Sequence, residues 1–274
     1  MTQSITKASP WARAVLGARL HQGLSFSRLF THIPQAPVLF WPGCSLMGLG
    51  YPVLHKTLKV LARSEPDIKL AAACCGKPSR SLGLTAYKKR RAWLLQSLAK
   101  TGCRAIYTAC PHCTEDLEAL AGEGDFTVET IWRPLQENLQ ASDLASPPDQ
   151  LVLHDPCPLR QKPQVRAEVR QLLSQAGINW QEPAHTGAKT ICCGQVEMLH
   201  VLNPQASEKL TQQRLKDFTA DQTICSYCQS CLNRFVAHGY KTAHVLEALF
   251  GMAAQKGWST RYKCVRKIKG DQNA

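Results

Sequence analysis

The sequence predicts an α/β protein with two tandem related lobes, each built on a small, mostly parallel sheet, with cysteine loops at the strand C-terminal ends. Two observations predict this fold: strand-like and helix-like patterns alternate along the chain, and one group of five cysteines occurs twice in the same order. The 274 residues are 44% hydrophobic and 19% charged, a composition that can bury a core and excludes general disorder. No run approaches the roughly 18 uninterrupted apolar residues of a membrane-spanning helix.

The first lobe is predicted element by element. Val38–Trp41 is an apolar strand that runs into a turn presenting Cys44. Leucines at 54, 58 and 61 lie on one face of the helix that follows, and a second apolar run ends at 71–73, before the first Cys-Cys-Gly. A helix over about 86–100 leads to a strand at 104–108 and then to a Cys-x-x-Cys pair, and a strand at 128–131 closes the lobe.

The second lobe repeats this order. A strand at 151–153 runs into Cys157, and Val165, Val169, Leu172 and Leu173 follow at helical spacing. A short apolar run at 190–191 precedes the second Cys-Cys-Gly, a helix spans about 206–218, and His244-Val245-Leu246 forms the closing strand. The predicted units are a basic N-terminal extension at 1–35, a first lobe at 36–140, a second lobe at 149–250 and a basic C-terminal tail at 251–274. The two lobes are joined by a polar linker at 141–148 with two prolines.

The cysteines show an internal duplication. The first copy consists of Cys44, Cys74, Cys75, Cys110 and Cys113, and the second of Cys157, Cys192, Cys193, Cys225 and Cys228. The offsets are 113 residues for the first members, 118 for the Cys-Cys-Gly triplets and 115 for the Cys-x-x-Cys pairs. Because open α/β sheets bind ligands beyond the carboxyl ends of their strands, we expect each set to lie at one sheet edge.

Several chemistries can use paired cysteines. One four-thiolate zinc site would employ the two Cys-x-x-Cys pairs but leave Cys44, Cys157 and both Cys-Cys-Gly triplets unexplained. A thioredoxin-type motif would need one pair only. Iron–sulfur chemistry fits the doubled set better, because thiolates select clustered iron and each cluster requires several of them. The glycines at 76 and 194 suit a left-handed turn beside a bulky group.

The order C…CCG…CxxC, present twice over about residues 36–250, resembles the cysteine-rich CCG domain found in the B-type subunit of heterodisulfide reductase. The resemblance implies that each set of five cysteines binds one noncubane 4Fe–4S cluster, and that a substrate disulfide is split between two clusters. It also implies an oxidoreductase subunit that needs partners, because these proteins often act with a ferredoxin-like iron–sulfur or flavoprotein subunit. The alternative function is an electron conduit between a flavoprotein dehydrogenase and a quinone.

The remaining candidates are weaker. His112 and His154 lie beside the motifs and are possible proton donors, although hydrogen bonding to cluster sulfur or backbone is the favoured interpretation for both. Cys231 lies one turn beyond Cys228 and is a further candidate for the second cluster. Cys103 is interpreted as a buried apolar residue, and Cys264 is assigned no role.

The distribution of charge along the chain indicates where a partner or a membrane surface would bind. The formal charge of +13 divides into +4 for residues 1–35, +4 for 36–250 and +5 for 251–274. The N-terminal stretch, with Trp11, Val15, Leu16, Leu20 and Leu24 among its bases, suits a transit peptide, a membrane-surface helix or a helix docked on its own domain. We expect a cytoplasmic protein, at most peripheral at the inner face of a membrane. A zinc-stabilised nucleic-acid-binding module ranks last, because residues 36–250 lack a basic stripe with interleaved aromatics.

Overall fold

The computed structural model describes residues 10–146, 150–251 and 258–271. The predicted linker therefore lies partly outside the described residues, as do residues 1–9 of the N-terminal extension, residues 252–257 and 272–274 of the C-terminal tail, and the side chain of Trp11. Among the described residues, no helix is both long enough and apolar enough to cross a lipid bilayer.

The described chain folds into two four-stranded sheets, and every strand pair is parallel. The strand order is β2-β1-β3-β4 in the first sheet and β6-β5-β7-β8 in the second, so the two lobes share one topology. The strands are β1 (Val38–Trp41), β2 (Ile68–Leu70), β3 (Ala105–Thr108), β4 (Thr127–Thr130), β5 (Leu151–His154), β6 (Trp180–Gln181), β7 (Thr223–Ser226) and β8 (Lys241–His244). The predicted fold class is confirmed.

Twelve described helices surround these sheets. They are α1 (Pro10–Ser25), α2 (Tyr51–Leu61), α3 (Lys77–Ser81), α4 (Tyr87–Thr101), α5 (Pro111–Ala121), α6 (Trp132–Asn138), α7 (Pro163–Gln175), α8 (Leu199–Leu202), α9 (Pro204–Leu215), α10 (Gln229–Val236), α11 (Val245–Phe250) and α12 (Trp258–Asp271). Every residue of the inner strands β1 and β5 is buried, because helices cover both faces of a parallel sheet.

Three details of the predicted elements differ from the structure. The apolar run that ends at 71–73 forms its strand, β2, just before those three residues, and residues 190–191 are in no strand, since the second lobe has the short β6 farther upstream. The closing strand of the second lobe ends at His244, and Val245 begins a helix. The cause is a capping box: His244 Nδ1 accepts from Leu246 N–H at 3.2 Å, and Glu247 accepts from His244 N–H at 2.8 Å.

The lobes share one hydrophobic core. Trp132 of α6 is 1% exposed and lies edge-on to Tyr227 of the second lobe, with ring centroids 5.7 Å apart. Helices α6 and α7 pack together, as do α2 and α11, so both contacts cross between the lobes. The connecting segment is also fixed, because Asp143 pairs with Lys56 and Arg63, and Ala145 N–H donates to Leu249 O at 3.0 Å.

The terminal helices meet at the first lobe. Lys269 Nζ of α12 donates to Arg28 O, which follows α1, at 2.5 Å, and Phe30 packs on Tyr262. Helix α1 docks through Gln22 and Ser25, which are fully buried, whereas Leu16, Leu20 and Leu24 are 57%, 62% and 46% exposed. The predicted helix therefore exists, but its polar side faces the protein and its leucines face outward.

Candidate metal centre

The cysteine loops lie beyond the carboxyl ends of the inner strands, as predicted. Cys44 follows β1 and Cys157 follows β5, while Cys110 and Cys228 begin the helices that follow β3 and β7. Cys110 and Cys228 have an extended backbone and immediately precede a helix. The cysteine three residues farther along, Cys113 or Cys231, therefore lies in the first turn of that helix. Each lobe thus gathers thiols at one sheet edge.

In the first lobe a chain of contacts links all five predicted cysteines. Hydrogen-bond contacts join Cys44 to Cys74, Cys74 to Cys75, and Cys75 to Cys113, which in turn contacts Cys110. A β-carbon at Gly43 would lie 2.9 Å from Cys113 Sγ, so only glycine leaves room for the sulfur there. These five thiols form the first centre.

The second lobe gathers its thiols differently from the prediction. Cys157 Sγ lies 3.5 Å from Cys192 Sγ, and Cys193 Sγ lies 3.1 Å from Cys231 Sγ. Cys231 also contacts Cys228. These five thiols form the second centre.

Cys225 is not among them. It lies within β7 and packs in the hydrophobic core with Leu151 and Leu153, whereas Cys193, Cys228 and Cys231 belong to a different cluster of buried residues. The structural counterpart of Cys110 and Cys113 is the pair Cys228 and Cys231, each offset by 118 residues. The predicted pairing of Cys225 with Cys228 is therefore corrected: alternate residues of a strand point to opposite faces, and Cys225 points away from the centre.

The glycines of the two Cys-Cys-Gly triplets both have φ of +92°, as the sequence predicts for a left-handed turn. The atoms that an added β-carbon would meet are not sulfur, however. A β-carbon at Gly194 would lie 2.5 Å from both Ser207 O and Thr211 Oγ1 of α9, and one at Gly76 would meet the Phe26 ring at 3.7 Å. Gly194 also donates its N–H to Cys192 Sγ at 3.3 Å.

The two centres face each other across the lobe boundary. His112, inside the first Cys-x-x-Cys pair, contacts Cys228 of the second lobe, and Ser45 Oγ lies 3.4 Å from Ser230 Oγ. Lys77 Nζ pairs with Glu197 at 2.7 Å. Between the lobes lies a cavity of about 80 Å³, whose lining from the first lobe is Cys44, Ser45, Cys75, Lys77, Pro78, Ser81, Cys110, His112 and Cys113, and from the second Gln195, Glu197, Met198 and Ser230.

The terminal segments also reach the first centre, which the sequence did not indicate. Gln22 Nε2 of α1 lies 3.9 Å from Cys74 Sγ, and Gln22 Oε1 accepts from Ser79 Oγ at 2.7 Å. Cys264 is 1% exposed and packs in the shared core instead of lying idle in a tail. Gln22 lies in no recognisable motif, so the sequence offered no reason to place this side chain beside the cysteines.

The thiols are chemically suited to metal binding. Hydrogen bonds from Cys113 and Cys74 lower the pKa of Cys75 to about 6, and those from Cys157 and Cys193 lower the pKa of Cys192 to about 2. The contact with Cys231 likewise holds the pKa of Cys228 well below its usual range. Since the thiolate is the form that binds metal, each centre contains readily ionised ligands, and the residues present fit an iron–sulfur group.

The two candidate histidines lie in different positions: His154 is fully buried, whereas His112 is partly exposed. His112 lines the cavity, and although burial opposes protonation, its hydrogen bond to Cys228 raises its pKa to about 9. His154 ends β5 beside Cys193 and Cys231, and burial followed by the Arg214 charge keeps its pKa well below the usual range. Cys103, at the entrance to β3, is 8% exposed and packs in the first-lobe core, as predicted.

Comparison with known proteins gives one family and no curated relative. A family model described as a cysteine-rich domain, CCG, matches residues 38–118 and 151–235. No curated protein matches the chain.

Several solved structures are remotely similar to this chain. A glutamate racemase from Campylobacter jejuni subsp. jejuni is 15% identical, with 86% of each chain covered and a TM-score of 0.32. A glutamate racemase isoform from Bacillus anthracis is 11% identical, covering 87% of this chain and 95% of that one, with a TM-score of 0.32. An aspartate racemase homologue from Pyrococcus horikoshii is 9% identical, covering 87% and 100%, with a TM-score of 0.29. Scores this low support no inference about activity.

Proposed function

The chain belongs to the cysteine-rich CCG family, and from this premise we propose that it is an iron–sulfur oxidoreductase subunit similar to the B-type subunit of heterodisulfide reductase. The family and the many cysteines indicate iron–sulfur binding and a redox role. The observation that carries the finer proposal is the cavity between the lobes, which is bordered by thiols of the first centre and by residues of the second lobe. A substrate there would contact both lobes at once.

The proposed cofactors are two noncubane 4Fe–4S clusters. The first would be held by Cys44, Cys74, Cys75, Cys110 and Cys113, and the second by Cys157, Cys192, Cys193, Cys228 and Cys231. When bound, such clusters supply one-electron transfer, and two of them together match the two electrons of a disulfide. The adjacent cysteines of each triplet suit an opened cluster, because neighbouring residues strain to bind one compact cube.

The chain's own residues define the substrate cavity. Reduction breaks one S–S bond and consumes two electrons and two protons to give two thiols. His112 borders the cavity and contacts Cys228, so it links the two lobes. Its imidazole would lie beside the sulfur atoms of a disulfide bound in the cavity. Lys77 is 5% exposed and is held by Glu115, Asp116 and Glu197, which fixes this wall of the cavity.

A second candidate function is supported by a different observation. An electron conduit between a flavoprotein dehydrogenase and a quinone would work at a membrane surface. The outward leucines of α1 and the exposed bases Lys263 and Arg266 of α12 provide apolar and cationic groups on two helices that are joined by the hydrogen bond from Arg261 to Ser25. Such a combination binds anionic lipid surfaces. We therefore propose contact of these helices with the inner face of a cytoplasmic membrane, and a ferredoxin-like iron–sulfur or flavoprotein subunit as electron donor.

One experiment separates the two functions. Anaerobically purified protein with both clusters should contain about eight irons. After reduction, the clusters should be reoxidised by low-molecular-weight disulfides faster than by quinone analogues, with one disulfide consumed for every two electrons. The reverse preference favours the conduit, and a colourless zinc protein contradicts both.

A matched pair of variants tests the cavity itself. Ser81 lines the cavity and donates to Glu197 at 2.5 Å. Ser81→Trp would fill the space, while Ser81→Ala removes the same hydrogen bond without filling it. We expect full iron content and unchanged disulfide-driven reoxidation in Ser81→Ala, and an intact second cluster with loss of disulfide-driven reoxidation in Ser81→Trp. Equal rates in the two variants would place the reaction elsewhere.

A further inference from the structure

His154 is a buried side chain without a hydrogen-bond partner among the described residues. It is the last residue of β5, is fully buried, and neither ring nitrogen finds a donor or acceptor in the described part of the chain. A buried polar atom left unpaired costs about 1–3 kcal/mol, so two such nitrogens on one ring point to a bound group.

The ring is placed against the second centre. One donor atom each of His154, Cys193 and Cys231 lies within 4.8 Å of the other two. Phe235 packs edge-on to the imidazole, with centroids 5.0 Å apart, and fixes the plane of the ring. The side chain is fully buried, so no solvent reaches the two ring nitrogens.

The first lobe has a different residue at this position. His154 pairs with Ser226 of the neighbouring strand, and the corresponding residue Trp41 pairs with Thr108 in the same register. Trp41 is fully buried, and its indole offers an N–H but no lone pair. The duplicated lobes therefore differ in their donor sets.

We propose that His154 is a nitrogen ligand of the iron–sulfur group in the second lobe, which makes this centre a mixed thiolate and imidazole site while the first remains all-thiolate. The proposal rests on the proposed function, since it requires iron in the second lobe. A neutral imidazole ligand raises the reduction potential of an iron–sulfur centre relative to thiolate ligation. Electrons entering through the first centre would thus pass downhill to the second.

Isotope-resolved spectroscopy tests this ligand directly. Holoprotein labelled with ¹⁵N-histidine is reduced by one electron and studied by pulsed electron–nuclear double resonance. We expect a ¹⁵N coupling of the size found for directly bonded nitrogen in the wild type. It should persist in His112→Gln, which removes the other histidine near the thiols, and in the His244→Asn control. It should vanish in His154→Phe.

The outcomes separate the ligand from the function. About eight irons per chain with no directly bonded nitrogen in the wild type would overturn the ligand proposal and leave the proposed function intact. Persistence of the coupling in His154→Phe would overturn it as well. Protein without iron would overturn both. If His154→Phe does not fold, two other comparisons still decide the result. The ¹⁴N-histidine and ¹⁵N-histidine forms of the wild type show whether a histidine nitrogen is bonded to iron, and ¹⁵N-labelled His112→Gln shows whether that nitrogen belongs to His112.

Discussion

Gln22 Nε2 lies 3.9 Å from Cys74 Sγ, so a helix outside the duplicated unit contacts a thiol of the first centre. The amide is fully buried and is oriented by Ser79, whose hydroxyl donates to Gln22 Oε1. An N–H directed at a cluster thiolate stabilises the reduced, more negative state and raises the reduction potential. The N-terminal helix is in this way part of the first centre.

Replacement of this glutamine should lower one reduction potential only. In Gln22→Leu the first cluster loses an N–H donor, and we expect its potential to fall by at most about 130 mV, since a charge-assisted hydrogen bond contributes about 1.5–3 kcal/mol. The second cluster should be unchanged. Redox titration followed by electron paramagnetic resonance measures both, and Gln212→Leu on the exposed side of α9 is the control. A shift in both clusters would indicate a general structural effect.

The two cysteines of the second Cys-x-x-Cys region should behave in opposite ways. Cys231→Ala removes a thiol 3.1 Å from Cys193, and we expect loss of about four irons. Cys225→Ala truncates a buried residue of the core and should cost about 1 kcal/mol of unfolding free energy with full iron retained. Iron and sulfide analysis of the anaerobic proteins distinguishes them. Loss of iron in Cys225→Ala would restore the original assignment.

The sequence error at this position has a physical cause. The spacing of Cys225, Cys228 and Cys231 contains two overlapping Cys-x-x-Cys pairs, and only the end of β7 decides which one faces the centre. The offset of 118 residues between the two Cys-Cys-Gly triplets equals the offset from Cys110 to Cys228, so the repeat carried a signal for the pair that faces the centre, although the offset of 113 from Cys44 to Cys157 does not distinguish the two pairs. The lobes, the parallel sheets and the strand-end position of the cysteines were predictable, since they follow from hydrophobic patterning and the duplication.

Contacts between distant segments were not predictable. The contact of His112 with Cys228, the docking of Gln22 and the burial of Cys264 all depend on how helices pack, and no local pattern encodes them. The exposed leucine face of α1 shows the same limit. Its residues indicate a helix with an apolar side, but only packing reveals that the polar side is the buried one.

Truncation of Trp132 should weaken the contact between the lobes. Its ring is 1% exposed and touches Tyr227 and His244 of the second lobe. We expect Trp132→Ala to lower the unfolding free energy by about 3–5 kcal/mol, as for other buried aromatic truncations. Trp93, which is 40% exposed, is a matched control whose change to alanine should cost much less. Chemical denaturation of both variants measures the difference, and equal losses would contradict a shared core.

Acid should destabilise the protein through His244. Burial lowers its pKa to about 3, so the folded state keeps this imidazole neutral while the unfolded chain binds a proton below about pH 6.5. The contribution of neutral His244 to the free energy of unfolding is therefore fully present above pH 6.5, and it is lost progressively as the pH drops toward 3. At pH 5.5 the loss should be about 1.4 kcal/mol for this group. His244→Asn keeps a capping acceptor but cannot titrate, so its unfolding free energy should depend less on pH between 7.5 and 5.5; an identical slope would contradict the assignment.

Binding to anionic vesicles should need both terminal helices. Leu16 and Leu20 are 57% and 62% exposed, and Lys263 and Arg266 are exposed on α12. We expect the protein to sediment with vesicles containing phosphatidylglycerol and not with pure phosphatidylcholine, because each base near a charged surface contributes about 1 kcal/mol. Leu16→Ser/Leu20→Ser should reduce binding at all salt concentrations. Lys263→Glu/Arg266→Glu should reduce it mainly at low salt, where electrostatic attraction is least screened.

The matched control for this experiment is Lys88→Glu/Lys89→Glu, which reverses two exposed bases on α4, away from α1 and α12 in sequence and equal in charge change. If general net charge drives the association, the two charge-reversal variants will lose binding equally. If the terminal helices form the surface, only the α12 variant and the leucine variant will lose it. Binding that is indifferent to lipid charge and to all three changes would assign these helices to a protein partner, because a protein surface would be recognised by shape as well as by charge.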